Sequence, residues 1–314
     1  MLGRRSLRVK TMQVLYGYEL NKESELSSLE LQLIRNMDKT VTMYLLYIAY
    51  LNEVCQYSLV DTALKMAKYI QTDEDKKANT NLAAHPLFIK LNESNEWRTL
   101  MSSEKINSYI DKEVVRSLFM VLRDKPKYKE FCAIEHPTQK QFNDILIYIL
   151  KKVFSDNENL EGILEEKFNN HDDDAFLLLH LLQKYIDGLK EDMDISVFIQ
   201  SIRTWQEEQR FARELLKLYY KHDAELQKII EPNLKNWDMD RIAVLDMVLM
   251  KMAICELLYL PNVPVKVSIN EYIDISKIYS TPKSKDFVNG ILDKVKFQLI
   301  TQDLIKKQGR GLME

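Results

Sequence analysis

Four cations open the chain with no acid among them. Arg4, Arg5, Arg8 and Lys10 all precede the first carboxylate, Glu19. On a helix, Arg4 and Arg8 stand one turn apart with Arg5 beside them, so three guanidiniums can face one way. A guanidinium holds a phosphate bidentately or stacks on a base, which suits single-stranded RNA. Tyr16 and Tyr18 add aromatic rings nearby, and Lys283, Lys285, Lys294 and Lys296 form a second basic cluster around Phe287. For each cluster the plain alternative is a solvated helix end.

Other chemistry has little support. None of His85, His136, His171, His180 and His222 lies four residues from another, and HExxH is missing, so no zinc site is expected. The run His171-Asp172-Asp173-Asp174 precedes an apolar stretch and reads as a helix start whose acids complement the dipole, rather than as a divalent-ion site. There is no nucleophile elbow. Glycine is scarce, 7 in 314 residues, and neither GxGxxG nor GxxxxGK[ST] occurs, which argues against the common nucleotide enzymes. No catalytic residue, metal or cofactor is expected. A formal charge of -3 gives no global pull towards nucleic acid, so such a role must rest on a local patch. Cys55, Cys132 and Cys255 read as free buried thiols in a reducing compartment. No transmembrane span and no secretory signal are expected, and the chain reads as cytoplasmic. The acid-free, Arg-bearing start also has the composition of an organellar transit peptide.

Positioning these residues falls to helices. Few Gly and Pro, with abundant Leu, Lys, Glu and Met, predict an all-α chain. The first helix is expected over 4–20 and a second, long one from Ser28 to about Gln71, with a break near Asn36–Asp38. Its stretch Tyr44–Leu51 is apolar on all sides and should be buried on more than one face. Residues 72–81 read as a charged loop, and a helix is expected near 104–122. Further helices are expected at about 138–154, 158–169, 173–189 and 195–222, the last capped by Asp194 and Ser196. Asp238 or Asp240 should cap a helix through Leu258 with Ile242, Leu245, Leu249 and Met252 at core spacing. After Pro264 comes a helix with Lys266, Asn270, Asp274 and Lys277 on one face and Val265, Ile269, Tyr272, Ile273 and Ser276 on another. Lys285–Ile300 forms the last.

The two ends together resemble the NusB family of bacterial transcription antitermination factors. Val263 to Glu271 reads VPVKVSINE, and Ser284 is followed by FVNGILDK from Phe287 to Lys294, close to the family's VP-x-KVAINE…S-x-KFVNGVLDK. Asp246, Lys251, Cys255, Glu256 and Leu257 fall in register with the preceding family helix. At the start, Arg4, Arg5, Arg8, Gln13, Leu15 and Tyr16 resemble RR-x-x-R…Q-x-LY, and Phe211–Lys221 is similar to the helix between the two blocks. Because the family carries these arginines in its first helix, the resemblance speaks against a transit peptide. It implies a NusB-like helical bundle made of 1–22, carrying the basic face, and 191–314. Residues 23–190 form a helical insertion of unknown role, typical members being less than half this length.

The resemblance implies a non-enzymatic RNA-binding factor that recognises a boxA-like single-stranded element of nascent ribosomal RNA. It would act with the ribosomal protein NusE and the RNA polymerase antitermination complex, and a homodimer is left open. The RNA-binding residues it implies are Arg4, Arg5, Arg8, Gln13, Tyr16, Asp246, Lys285 and Phe287. Asp286 stands where the family usually has Lys, and Lys283 where an acid can occur, so the charges of that loop are rearranged. The missing Cβ of Gly290 is read as permitting close backbone approach, and Asn270 as a hydrogen-bonding link between the last two helices. Two other readings remain. One is an accessory domain of an RNA-modifying enzyme, disfavoured because no Gly-containing cofactor domain follows. The other is a helical protein-interaction scaffold that has lost RNA binding.

Overall fold

A computed structural model of the chain describes residues 3–76, 78–203, 205–234 and 242–308. Among these residues the regular elements are all helical and no strand occurs, so the protein is all-α. Two compact units are present: one of Asp38–Arg203, the other of the described residues within Leu2–Met37 and Thr204–Glu314.

Helix α1 (Arg4–Leu20) buries Leu7, Val9, Met12, Val14 and Leu15. It ends where the Asn21 N–H donates to the Gly17 and Tyr18 carbonyls. Helix α2 (Leu26–Met66) runs unbroken through Asn36–Asp38, contrary to expectation. The reason is that Leu33, Met37 and Tyr44 lie buried on one continuing stripe, which keeps the helical period intact across the polar residues. Tyr44–Leu51 is buried throughout, as its composition requires.

The segment read as loop contains a single helical turn, α3 (Asp73–Lys76). Thr72 and Asp75 cap each other there: Thr72 N–H donates to Asp75 Oδ2 at 2.9 Å, and Asp75 N–H to Thr72 Oγ1 at 3.2 Å. Two helices not expected from periodicity follow, α4 (Pro86–Glu93) and α5 (Asn95–Ser103). Their starts are set locally: His85 Nδ1 accepts from Leu87 N–H, Pro86 pre-sets φ, and Ser94 Oγ accepts from Trp97 N–H. Then come α6 (Lys112–Arg123), α7 (Pro126–Cys132), α8 (Gln139–Ile149), α9 (Glu158–Lys167), α10 (His171–Asp187) and α11 (Ile195–Arg203). The expected cap of α11 is present, Asp194 Oδ1 accepting from Ser196 N–H at 2.8 Å. Of the acids opening α10, Asp174 is buried and accepts from Thr40 Oγ1 at 2.6 Å, while Asp172 and Asp173 face solvent.

Over the expected range 195–222 the described residues are helical on both sides of Thr204, as α11 and α12 (Trp205–Ile230), and Thr204 itself lies outside the described residues. Helix α13 (Val244–Tyr259) packs against α1, α12, α14 (Val265–Tyr279) and α15 (Ser284–Thr301). It is apolar almost all round and accordingly central. The expected caps Asp238 and Asp240 lie outside the described residues. Of the expected core positions Leu249 and Met252 are buried, and Ile242 and Leu245 half-buried. Helix α14 presents Lys266, Asn270 and Lys277 to solvent and buries Val265, Ile269, Tyr272 and Ser276, as its pattern predicts.

Cys55 and Cys255 are buried free thiols whose pKa burial pushes well up; Cys132, expected buried, is only half-buried. Among the described residues no helix is long and apolar enough to cross a membrane.

Candidate nucleic-acid interface

The basic residues of α1 do not share one environment. Arg8 lies inside the unit, 1% exposed, against a fully buried Glu256 of α13. The guanidinium forks onto the carboxylate, Nε donating to Oε1 at 2.7 Å and Nη2 to Oε2 at 2.9 Å. Ser268 Oγ and Tyr272 Oη, both from α14, donate to the same carboxylate at 2.8 and 2.6 Å. The Arg8 guanidinium carbon lies 5.3 Å from the centre of the Phe211 ring on α12 and 5.8 Å from that of Tyr272. Burial opposes the Arg8 charge, but the hydrogen bonds and field of Glu256 outweigh it and raise its pKa above the ordinary value. The Tyr272 phenol is pushed well up, first by burial and then by Glu256. A buried pair satisfied in this way specifies how α1, α13 and α14 meet.

Arg4 and Arg5 occupy the surface above this pair. Arg4 lies over the Phe211 ring at 5.4 Å. Arg5, its side chain 47% exposed, donates Nε and Nη2 to Glu271 at 2.9 Å each and Nη2 to Asp274 at 2.9 Å. Hydrogen bonding to Glu271 raises the Arg5 pKa most. Asp274 also accepts from Lys277, the main cause of its lowered pKa. The three arginines therefore do not face one way: Arg4 and Arg8 share Phe211, while Arg5 turns to the acids of α14. Gln13 is half-buried and Tyr16 is exposed further along α1, roughly 16 Å from Arg5 at 1.5 Å per residue.

The α14–α15 turn is held by Asp246, buried near the start of α13. Ser280 Oγ and Ser284 Oγ donate to its two oxygens at 2.7 Å each. Just beyond this latch Lys285 and Asp286 are exposed and Phe287 half-buried. An open groove of about 480 Å³ between α14 and α15 is lined by Asn270, Asp274, Lys277, Lys285 and Asn289, so Asp274 joins it to Arg5. Two sequence readings are corrected here. A Cβ on Gly290 would meet nothing within 4 Å, so no close approach depends on this glycine. Asn270 lies exposed in the groove wall rather than bonded across it.

A second charge cluster escaped the sequence reading. Buried Lys251 donates to Glu19 at 3.1 Å and Asp223 at 2.8 Å; Lys22 also reaches Asp223, at 2.6 Å, and Tyr219 Oη donates to Glu19. Burial opposes the Asp223 charge, but Lys22 and Lys251 lower its pKa. Its signal lay in α13, where Asp246, Lys251 and Glu256 recur every fifth position of an otherwise apolar run. Phe211, Glu271 and Asp274 were legible as parts of family-like blocks or of a polar helix face, but not as partners of Arg4 and Arg5. In the other unit Glu165, His171 and Asp172 bring ligand atoms within 4.8 Å of one another, but at the positive end of α10, where the dipole disfavours a cation.

A sequence profile described as the NusB family matches residues 178–297, which take in α12, α13, α14 and most of α15 but not α1. The chain is 45% identical over 103 residues to the transcription antitermination protein NusB of Salinibacter ruber, covering 33% of this chain and 64% of that one. It is 52% identical over 79 residues to the protein of that name from Chloroherpeton thalassium, 25% of this chain and 37% of that one. To the one from Listeria monocytogenes it is 41% identical over 98 residues, 31% of this chain and 77% of that one. The chain thus spans under two thirds of the first two relatives. Among solved structures, T. maritima NusB aligns with 52% of this chain and 94% of its own at 26% identity and a TM-score of 0.28. With more than three quarters of the Listeria protein matched at this identity, the chain belongs to the NusB family.

Proposed function

We propose that the protein is a non-catalytic RNA-binding factor of transcription antitermination, acting in the cytoplasm. In this reading it takes a boxA-like element of nascent ribosomal RNA together with NusE and joins the RNA polymerase antitermination complex. What carries the reading is the 41% identity to a protein named for transcription antitermination, over 77% of that protein. The surface of α1 and the α14–α15 turn supports it. In this reading Arg4 and Arg5 hold phosphates, Tyr16 and Phe287 stack bases, and Lys285 adds charge at the turn. Gln13 lies between the arginines and Tyr16. Arg8 and Asp246, buried and bonded to protein, serve this proposal by positioning α1 and the turn.

Fluorescence anisotropy with a short boxA-like RNA tests it, with and without NusE from the same source. Binding should exceed that of a scrambled RNA, strengthen with NusE and weaken with salt. The double variant Arg4→Ala/Arg5→Ala should lose most affinity and flatten the log–log salt slope by about 1.4, at about 0.7 per phosphate contact on a single strand. Unchanged affinity in that variant overturns the site. A second reading, a protein-interaction scaffold without RNA binding, is favoured by one observation: Glu271 and Asp274 already neutralise Arg5. No preference for boxA and no effect of NusE would select it.

A further inference from the structure

Helix α2 reverses its amphipathic sense in its last turns. The face turned into the fold there carries Ser58 and Asp61, both buried, with Thr62 and Lys65 half-buried. The opposite face carries Leu59, Val60, Ala63, Leu64, Met66 and Ala67, all exposed, and Tyr69 and Ile70 extend it past the helix end. Its six large side chains are between 44% and 103% exposed. An ordinary surface helix has the opposite arrangement. At roughly 200 Å² per fully exposed large apolar side chain, the patch offers about 800 Å². That exceeds the roughly 300–600 Å² of the largest patch on a typical monomer and equals the share of one partner in a standard interface.

We propose that this end of α2 is a self-association surface through which two copies of the chain pair antiparallel. The stripe is self-complementary. A two-fold axis between Ala63 and Leu64 lays Val60 on the partner's Ala67 and Ala63 on the partner's Leu64. Large side chains then face small ones in both directions, as an isologous contact requires. Lys68 flanks the stripe and Lys65 lies on the inward face; they are held to Asp75 at 2.8 Å and to Asp61 at 2.7 Å, so their charge is compensated within each copy. A repulsive rim between copies is thereby avoided. The surface lies wholly within the unit Asp38–Arg203, outside the matched family profile, and does not depend on the RNA reading.

Sedimentation of the full chain from about 1 to 100 µM reads the association directly. A concentration-dependent dimer is expected. Leu64→Glu should weaken it about 30-fold or more, with Val60→Lys as a second variant; both sites are exposed, so circular dichroism should stay unchanged. Oxidised Ala63→Cys should give a disulfide-linked dimer that the parent chain, with its three native cysteines, does not. A monomer at every concentration overturns the proposal. So does a dimer indifferent to Leu64→Glu and Val60→Lys, or one that Ala63→Cys fails to cross-link. A monomer that floats with phosphatidylglycerol vesicles only while Leu64 is intact overturns it in favour of a lipid surface.

Discussion

Replacing Glu256 by Gln removes a charge while keeping the shape of the side chain, and it leaves the buried Arg8 guanidinium without its bidentate partner, with Glu271 at 3.7 Å from Nη1 as the remaining carboxylate. The expected loss is about 3–5 kcal/mol of stability in a urea titration. Most of it should return when Arg8 is also replaced, by Met, because the penalty belongs to the stranded charge. His85 poses the converse case of a group kept neutral. Burial lowers its pKa to about 3, against about 6.5 in the unfolded chain, and Nε2 is buried without a hydrogen-bond partner. Between those values the unfolded chain binds a proton that the fold does not, so stability falls as pH drops from about 6.5 towards 3 and is complete above. His85→Asn keeps a cap acceptor for Leu87 N–H and should flatten this acid limb, measured as urea midpoints against pH. Neither environment was legible in sequence. Arg8 has the same side chain as Arg4 and Arg5, and nothing local distinguishes the one that faces inward.

At the scale of elements, helix starts were legible wherever a cap stands beside a periodic run. Asp194 before α11 is such a place, and so is the pattern of α14. Helices α4 and α5 were missed because eight or nine residues give too few turns for a period to emerge. Their caps at His85 and Ser94 do the specifying instead. The α14–α15 turn depends on a residue from a third helix: Asp246 takes two hydroxyl hydrogen bonds across 34 and 38 residues of sequence. Asp246→Ala leaves Ser280 and Ser284 without that acceptor and should cost about 1–3 kcal/mol. Faster amide exchange confined to residues 280–287 would locate the effect at the turn. If the turn presents RNA contacts, the same variant should weaken boxA binding while the slope of affinity against salt stays the same, since no phosphate contact is removed.

At the scale of the whole molecule, stability on the alkaline side tests how α13 ends. Lys307 Nζ donates to the carbonyls of Glu256 and Leu260 at 2.8 and 2.9 Å, and burial pulls its pKa down to about 8. Its unfolded value near 10.4 lies higher, so between about 8 and 10.4 the unfolded chain holds the extra proton. Stability should therefore rise with pH across that window, and Lys307→Met should remove the rise. The sequence by itself determined that this chain is helical and that it belongs with NusB proteins. Scarce Gly and Pro and a 3.6-residue period act between neighbours in the chain, and a motif such as VPVKVSINE is contiguous. Only the tertiary structure decided which charges are surface and which are core. Arg8 meets its carboxylate across 248 residues of sequence, and the last turns of α2 expose leucines over buried Asp61. A side chain's partner is set by which helices pack against it, and local spacing carries no record of that.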